Sequence, residues 1–270
     1  MDNETPSLES FETIRTERDS HVGVIALDRP ESMNTFSTQL ATELDESLRA
    51  FEAADGVRAV VVHGNGSAFS AGIDLSEYDE ISGESAYETW VTRMEQPFYT
   101  LATMGTPVIA AAHGHAAANG IGLVAACDLA VAAEGTKLGA TAPKVGLFCM
   151  GPAVPLMHAM TQKRCLELLL TGELIDAETA EKWGLLNRVV PAGEHCDAAF
   201  EYAETIASKS PTAVQMGKRA FYEMTDMPYD EALERSNERF AALCTTDDAE
   251  RGIEAFLDGD LLDADEWPEN

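Results

Sequence analysis

Basic residues are scarce in this chain: 18 Lys and Arg stand against 47 Asp and Glu, a formal net charge of −29. Affinity for phosphate backbones comes mainly from Lys and Arg, so nucleic acid and anionic membrane are poor partners for such a surface. Long apolar runs are missing as well. No stretch approaches the ~18 consecutive apolar residues of a membrane span. The first 18 residues are acidic and polar, without the apolar core of a secretory signal. A soluble, cytoplasmic protein is expected. Cysteine is sparse and scattered: Cys127, Cys149, Cys165, Cys196 and Cys244 show no CxxC spacing, which argues for reduced thiols and against zinc. The acidic charge is spread along the chain, with one small cluster at 263–269. Such spreading suggests a halophilic protein adapted to high cytoplasmic salt, with an ordinary acidic mesophile protein as the alternative.

What is present is an ordinary core. At 270 residues and 45% apolar content, the chain fits one large domain, or one domain with a helical extension. Apolar runs predict strands at 11–18, 22–27, 58–63, 107–112 and 129–133. Helical spacing predicts helices at 37–54, where Leu40, Leu44, Leu48 and Phe51 recur behind a Ser37 cap, and at 85–104 and 123–126. Further helices are expected at 151–170, 176–183 and 196–209, then at 213–224, 229–243 and 247–258. Strands alternating with helices imply a layered α/β core with mostly parallel pairing. Pro211 marks the expected boundary between a core at 1–210 and a helical region at 211–270.

Six local patterns then occur in one order. They are Leu27-Asp28-Arg29-Pro30-Glu31-Ser32-Met33-Asn34, Phe69-Ser70-Ala71-Gly72-Ile73-Asp74-Leu75, and PVIAAAHGHAAANGIGLVAACD at 107–128. KLGATAPKVG at 137–146, Leu170-Thr171-Gly172 and AEKWGLLNRVVP at 180–191 complete the set. Together they resemble the crotonase (enoyl-CoA hydratase/isomerase) superfamily over roughly residues 11–258. GLFCMGP at 146–152 and GKRAFY at 217–222 look closest to the branch of enoyl-CoA hydratase domain-containing protein 3. The resemblance implies an α/β fold, a crotonase-like spiral of ββα units with a helical C-terminal region. It also implies an acyl-CoA substrate, no cofactor beyond the coenzyme A of that substrate, no metal, and a homotrimer or homohexamer.

Thioester chemistry of this kind places negative charge on a carbonyl oxygen, which backbone N–H donors can stabilise without any titratable side chain. Carried over by resemblance, the donors are the amides of Ile73 and Asn119. Ala71, Gly72 and Gly120 let the backbone approach a ligand closely, and the chain after Asn119 opens a helix whose N-terminus favours negative charge. Arg29, Met33, Asp74 and Phe148 join Ala71, Gly72 and Gly120 as candidate substrate contacts. Asp74 reads as a loop brace through an Asx or N-cap bond, with a proton-transfer role as the alternative.

The departures are as informative. The two glutamates that a hydratase of this family uses as acid and base align with Gly122 and Ala142, and neither can exchange a proton. Met150 stands where dienoyl-CoA isomerases carry an aspartate. Losing a positioned acid or base costs about 10²–10⁴-fold, so ordinary hydration is not expected. Cys149 as nucleophile, with His115 as partner or lone base, is a weaker candidate. His113 and His115 lack a third ligand for a metal, and Asp128 reads as a structural cap. Arg29, Lys218 and Arg219 are either phosphate contacts or ion-pair partners, since Ser76 replaces the family's usual cation. Phe221, Tyr222 and Phe256 read as packing. A carboxylate could instead come from Glu77, Asp79 or a neighbouring subunit. Two readings stay open: an enzyme using the oxyanion amides, including a decarboxylase or hydrolase type, and a non-catalytic acyl-CoA-binding protein.

Overall fold

The computed structural model describes residues 11–268, so the first ten residues of the expected 1–210 core, and the final two residues, lie outside the described residues. Strands β1 (Ile14–Asp19) and β2 (Val22–Leu27) form an antiparallel hairpin. Helix α1 (Thr38–Ala53) starts where the Ser37 side chain accepts a hydrogen bond from the Leu40 amide, and it buries Leu40, Leu44, Leu48 and Phe51. Next come β3 (Ala59–Gly64), α2 (Glu84–Thr103), β4 (Val108–Ala112), β5 (His115–Ala117), α3 (Asn119–Ala126), β6 (Leu129–Ala133) and β7 (Lys137–Gly139). The chain continues through α4 (Met150–Ala159), α5 (Gln162–Thr171), β8 (Ile175–Asp176), α6 (Ala177–Lys182), β9 (Arg188–Val190) and α7 (His195–Ala207). It closes on α8 (Pro211–Met224), α9 (Tyr229–Leu243) and α10 (Asp247–Leu257).

One sheet has the order β1-β2-β3-β4-β6-β9 and is parallel except for β1; the other is β5-β7-β8. The period-2 geometry of strands sends alternate residues to opposite faces. On β3, Val60 and Val62 enter the main core with α1, α2 and α3, while Ala59 and Val61 pack with Ala198, Ala199 and Ala203 of α7. Both faces of the sheet are therefore covered, which is why its strands read as continuous apolar runs.

The structure departs from the sequence expectation in two places. The helix expected over 151–170 is two helices, because Met160 and Thr161 adopt extended backbone between α4 and α5. Apolar residues on both sides of that break hide it from periodicity. Strands β5, β7, β8 and β9 were not expected, since two or three residues carry no period.

At the N-terminus of α7, the His195 ring lies 4.8 Å from that of His113, and neither Nδ1 has a hydrogen-bond partner among the described residues. Burial first, then neighbouring His113 and His63, pushes the His195 imidazole down to about 4. The unfolded chain takes up that proton near pH ~6.5. Stability is therefore fullest above that pH and falls as pH drops towards 4. Urea midpoints measured between pH 7 and 5 should fall further for the wild type than for His195→Phe; equal falls would contradict this.

Candidate active site

Two loops that are distant in sequence are joined by one buried asparagine. Asn34 is fully buried; its Oδ1 accepts the Arg29 amide at 2.8 Å, and its Nδ2 donates to the carbonyls of Asn65 and Ala68 at 2.9 and 2.8 Å. Ser70 Oγ donates back to the Asn34 carbonyl at 2.8 Å, and the Ala71 amide donates to Met33 at 2.9 Å. The Arg-Pro loop is thereby locked to residues 65–71, with Met33 and Ala71 side by side.

Beyond Ala71 the chain forms a parallel bridge between Phe36 and Ile73. Phe36 donates to the Gly72 carbonyl at 2.7 Å, and Asp74 donates to Phe36 at 2.8 Å. Because backbone groups alternate in direction along extended chain, the Ile73 N–H points away from Phe36. It has no acceptor among the described residues. A second parallel bridge links Ser70 to Ala116, with Ala117 donating to Ser70 at 2.9 Å. Three residues beyond that bridge along the two segments lie Ile73 and Asn119. The Asn119 amide also has no acceptor among the described residues.

Backbone geometry maintains this juxtaposition. Gly72 has φ +104, and a Cβ there would lie 2.7 Å from Ala118 Cβ and 2.9 Å from the Ala117 carbonyl. A Cβ on Gly120 would overlap the Ser70 carbonyl. Ala118 sits at φ +47, ψ −113 just before α3, a region costly for a residue with a Cβ. Asn119 is thus the first residue of a helix, where its amide has no intrahelical acceptor.

Asp74 braces this loop. It accepts Ser76 N and Oγ at 3.1 and 2.7 Å and pairs with Arg29 Nη2 at 2.9 Å. Burial opposes its ionisation, yet Ser76 and Arg29 hold the carboxyl below its ordinary value. Arg29 also donates to the Thr35 carbonyl at 2.7 Å. Lys218 reaches Asp128 at 2.7 Å and Thr106 at 3.0 Å, and Arg219 pairs with Glu52. All three candidate phosphate cations therefore have intramolecular acceptors. Asp128 also accepts the Val108 amide and the Tyr222 hydroxyl, a cap that fastens α8 to the sheet.

The remaining candidates are dispersed. The Cys149 thiol is buried against the backbone of Ala142, and burial raises it above the usual thiol range. His115 is exposed on β5, and the two side chains share no hydrogen bond among the described residues. His113 bonds Gly66 rather than joining His115, and no group of three potential metal ligands occurs among the described residues. Glu77 is engaged in capping the Thr38 amide and accepting Trp90 Nε1, while Asp79 is exposed. Phe148 is partly exposed beside Cys149. At Gly122 a Cβ would lie 2.9 Å from Pro152 Cβ and 3.0 Å from Phe98 Cζ, so those side chains fill the place of a longer residue.

Glu95 on α2, which the sequence reading does not single out, lines a cavity of about 830 Å³ together with Phe98, Val124, Gly151, Pro155 and Tyr222; Ile73 and Asn119 are not among its lining residues. The available signal was spacing, since residues 95, 98, 99 and 102 form one helical stripe.

Comparison with known proteins identifies the family. The family model for enoyl-CoA hydratase/isomerase matches residues 17–260. A Thermus thermophilus relative is 36% identical over 241 residues, covering 88% of this chain and 95% of its own. Human enoyl-CoA hydratase domain-containing protein 3 is 32% identical over 233 residues, covering 86% and 77% of the two chains. Its crystal structure superposes with a TM-score of 0.89 at 30% identity, covering 93% of this chain and 99% of that one. Enoyl-CoA hydratase from Mycobacterium smegmatis gives 0.90 at 33%, covering 93% and 98%. Sequence pattern, layered fold and family match thus converge, and the chain belongs to the enoyl-CoA hydratase/isomerase family.

Proposed function

We propose that the chain binds an acyl-CoA thioester with its carbonyl oxygen between the amides of Ile73 and Asn119. The single observation that carries this reading is the pair of adjacent backbone N–H groups without acceptors. Two free amides, held in place by the Ala118 backbone and the close approach at Gly72, form a ready receptor for a ligand oxygen. As charge develops on that oxygen, preorganised donors lower the barrier by several kcal/mol without reorganising. Met33, Ala71, Gly72, Gly120 and Phe148 would line the acyl thioester, with Arg29 and Asp74 bracing the loop around it.

Hydration of a 2-enoyl thioester needs one group to activate water and another to protonate the α-carbon. With Gly122 and Ala142 at the family's acid and base positions, the reading favours enolate-forming steps over hydration. Proton transfer at the α-carbon, decarboxylation or thioester hydrolysis would all use the same two donors. A second reading, a non-catalytic acyl-CoA-binding protein, is favoured by those same two positions. Coenzyme A enters only as part of the substrate, and no metal is invoked. At a net charge of −29, binding a polyanionic coenzyme needs screening, which at 1 M salt shortens the Debye length to ~3 Å.

The deciding experiment follows crotonyl-CoA absorbance in molar KCl, beside calorimetric titration of acetyl-CoA and a panel of malonyl- and hydroxyacyl-CoA substrates. Asn119→Pro removes one donor and should lower any turnover about 10²–10³-fold. Binding without turnover on any substrate would favour the second reading, and no binding would remove both.

The region 211–270 is assigned to packing and to assembly as a homotrimer or homohexamer. Its helices leave Phe221, Tyr229, Leu233, Phe240, Ile253, Phe256 and Leu257 exposed, and apolar surface on this scale marks an interface. Repulsion between acidic subunits is screened by salt, so sedimentation should show the oligomer in molar KCl and dissociation near 0.1 M. A monomer at both salt concentrations would overturn the assignment. A halophilic, cytoplasmic setting fits the charge, and no helix among the described residues is long and apolar enough to cross a membrane.

A further inference from the structure

Glu95 is a partly buried carboxylate with no hydrogen bond or ion pair among the described residues. Its surroundings tie it to the corner that holds Gly122. Phe98, one turn later on α2, is the residue that closes over Gly122. Further along, Ala102 and Thr103 line the same cavity as Cys127 and Asp128, so α2 and α3 run side by side in one direction. Glu95 therefore stands one turn before Gly122, level with the Asn119 end of α3. On its other side is the first turn of α4, where a Cβ on Gly151 would overlap Glu95 Oε1. Only glycine there lets the carboxylate reach this position. The next residue, Pro152, packs on Gly122, so Glu95, Gly151, Pro152, Phe98 and Gly122 form one continuous corner.

We propose that Glu95 is the acid–base residue of the acyl-CoA site, taking over the work for which Gly122 and Ala142 have no side chain. The proposal rests on the acyl-CoA reading of Ile73 and Asn119. Glu95 removes a proton from the α-carbon: the C–H bond breaks, its electron pair becomes the enolate held by the two amides, and an O–H bond forms on Glu95. The proton then returns from Glu95 to the α-carbon, or to the γ-carbon when the substrate carries a neighbouring double bond. The first outcome is α-hydrogen exchange, and the second interconverts 3-enoyl and 2-enoyl thioesters. No water, oxidant or second base is consumed. Burial raises the Glu95 carboxyl above its ordinary value, the direction that favours a proton-exchanging role.

The test uses the full chain in molar KCl with two probes. One is butyryl-CoA in D2O, with deuterium at the α-carbon followed by mass spectrometry; the other is a 3-enoyl-CoA, followed by appearance of the conjugated 2-enoyl absorbance. The wild type should catalyse at least one of these. Glu95→Gln should slow it about 10²–10⁴-fold, with acetyl-CoA affinity unchanged within about 3-fold. Gly151→Ala, which displaces the carboxylate but does not remove it, should slow it in the same direction. Thermal unfolding separates a structural role: Glu95→Gln removes a charge with no partner, so its midpoint should be equal or higher. The proposal is overturned if the wild type binds acetyl-CoA but catalyses neither reaction, or if Glu95→Gln retains wild-type rates. Failure of the wild type to bind acetyl-CoA would instead remove the acyl-CoA reading, and this proposal with it.

Discussion

Gly72→Ala is expected to lower kcat/KM for any turned-over acyl-CoA by about 10³-fold or more, given that a single oxyanion donor accounts for about 10²–10³. The added methyl would lie 2.7 Å from Ala118 Cβ and 2.9 Å from the Ala117 carbonyl, in a backbone with φ +104. Both strain and overlap push the Ile73 segment away from the Asn119 segment, so both donors lose their aim at once. The single-donor variant Asn119→Pro should therefore be the milder of the two. Measuring both variants, with circular dichroism and unfolding midpoints as controls, checks the ordering. A Gly72→Ala enzyme with wild-type kcat/KM would show that the two loops do not act as one receptor.

The largest stability effect is expected at Lys218. Its side chain is only 7% exposed and Asp128 16%, at 2.7 Å. The Asp128 carboxylate also holds the Val108 amide and the Tyr222 hydroxyl. Lys218→Met leaves a largely buried carboxylate without its cation, which costs about 3–5 kcal/mol. In a chain of this size that corresponds to roughly 6–20 °C in the unfolding midpoint. By contrast, Arg188→Ala breaks an exposed pair with Glu201, 46% and 65% exposed, and should cost under about 1 kcal/mol. Thermal unfolding of both in molar KCl checks the contrast, and equal losses would mean that burial does not set the scale here.

Much of the architecture was legible before any coordinates. Ser37 as a cap, the Leu40-Leu44-Leu48-Phe51 stripe, the parallel apolar strands and the helix-rich end all follow from signals that act within a few residues. The loops carrying Arg29, Gly72, Ile73 and Asn119 were recognisable from their residue types and order. Charge, too, is a property of composition alone, and it sets the salt dependence expected of binding and assembly.

Tertiary structure decided what those loops present. The direction of the Ile73 N–H depends on which side of the strand Phe36 occupies, and no local pattern encodes that. Whether Lys218 meets a ligand phosphate or Asp128, 90 residues away, is likewise a matter of where α8 packs. Gly151 looks like an ordinary loop glycine until α2 is laid against it; only then does it become the space that the Glu95 carboxylate occupies. Periodicity, capping and turn chemistry act between near neighbours in the chain and survive in the bare sequence. Which unpaired donor faces which carboxylate is settled by packing between segments far apart in the chain, and only the folded protein holds that information.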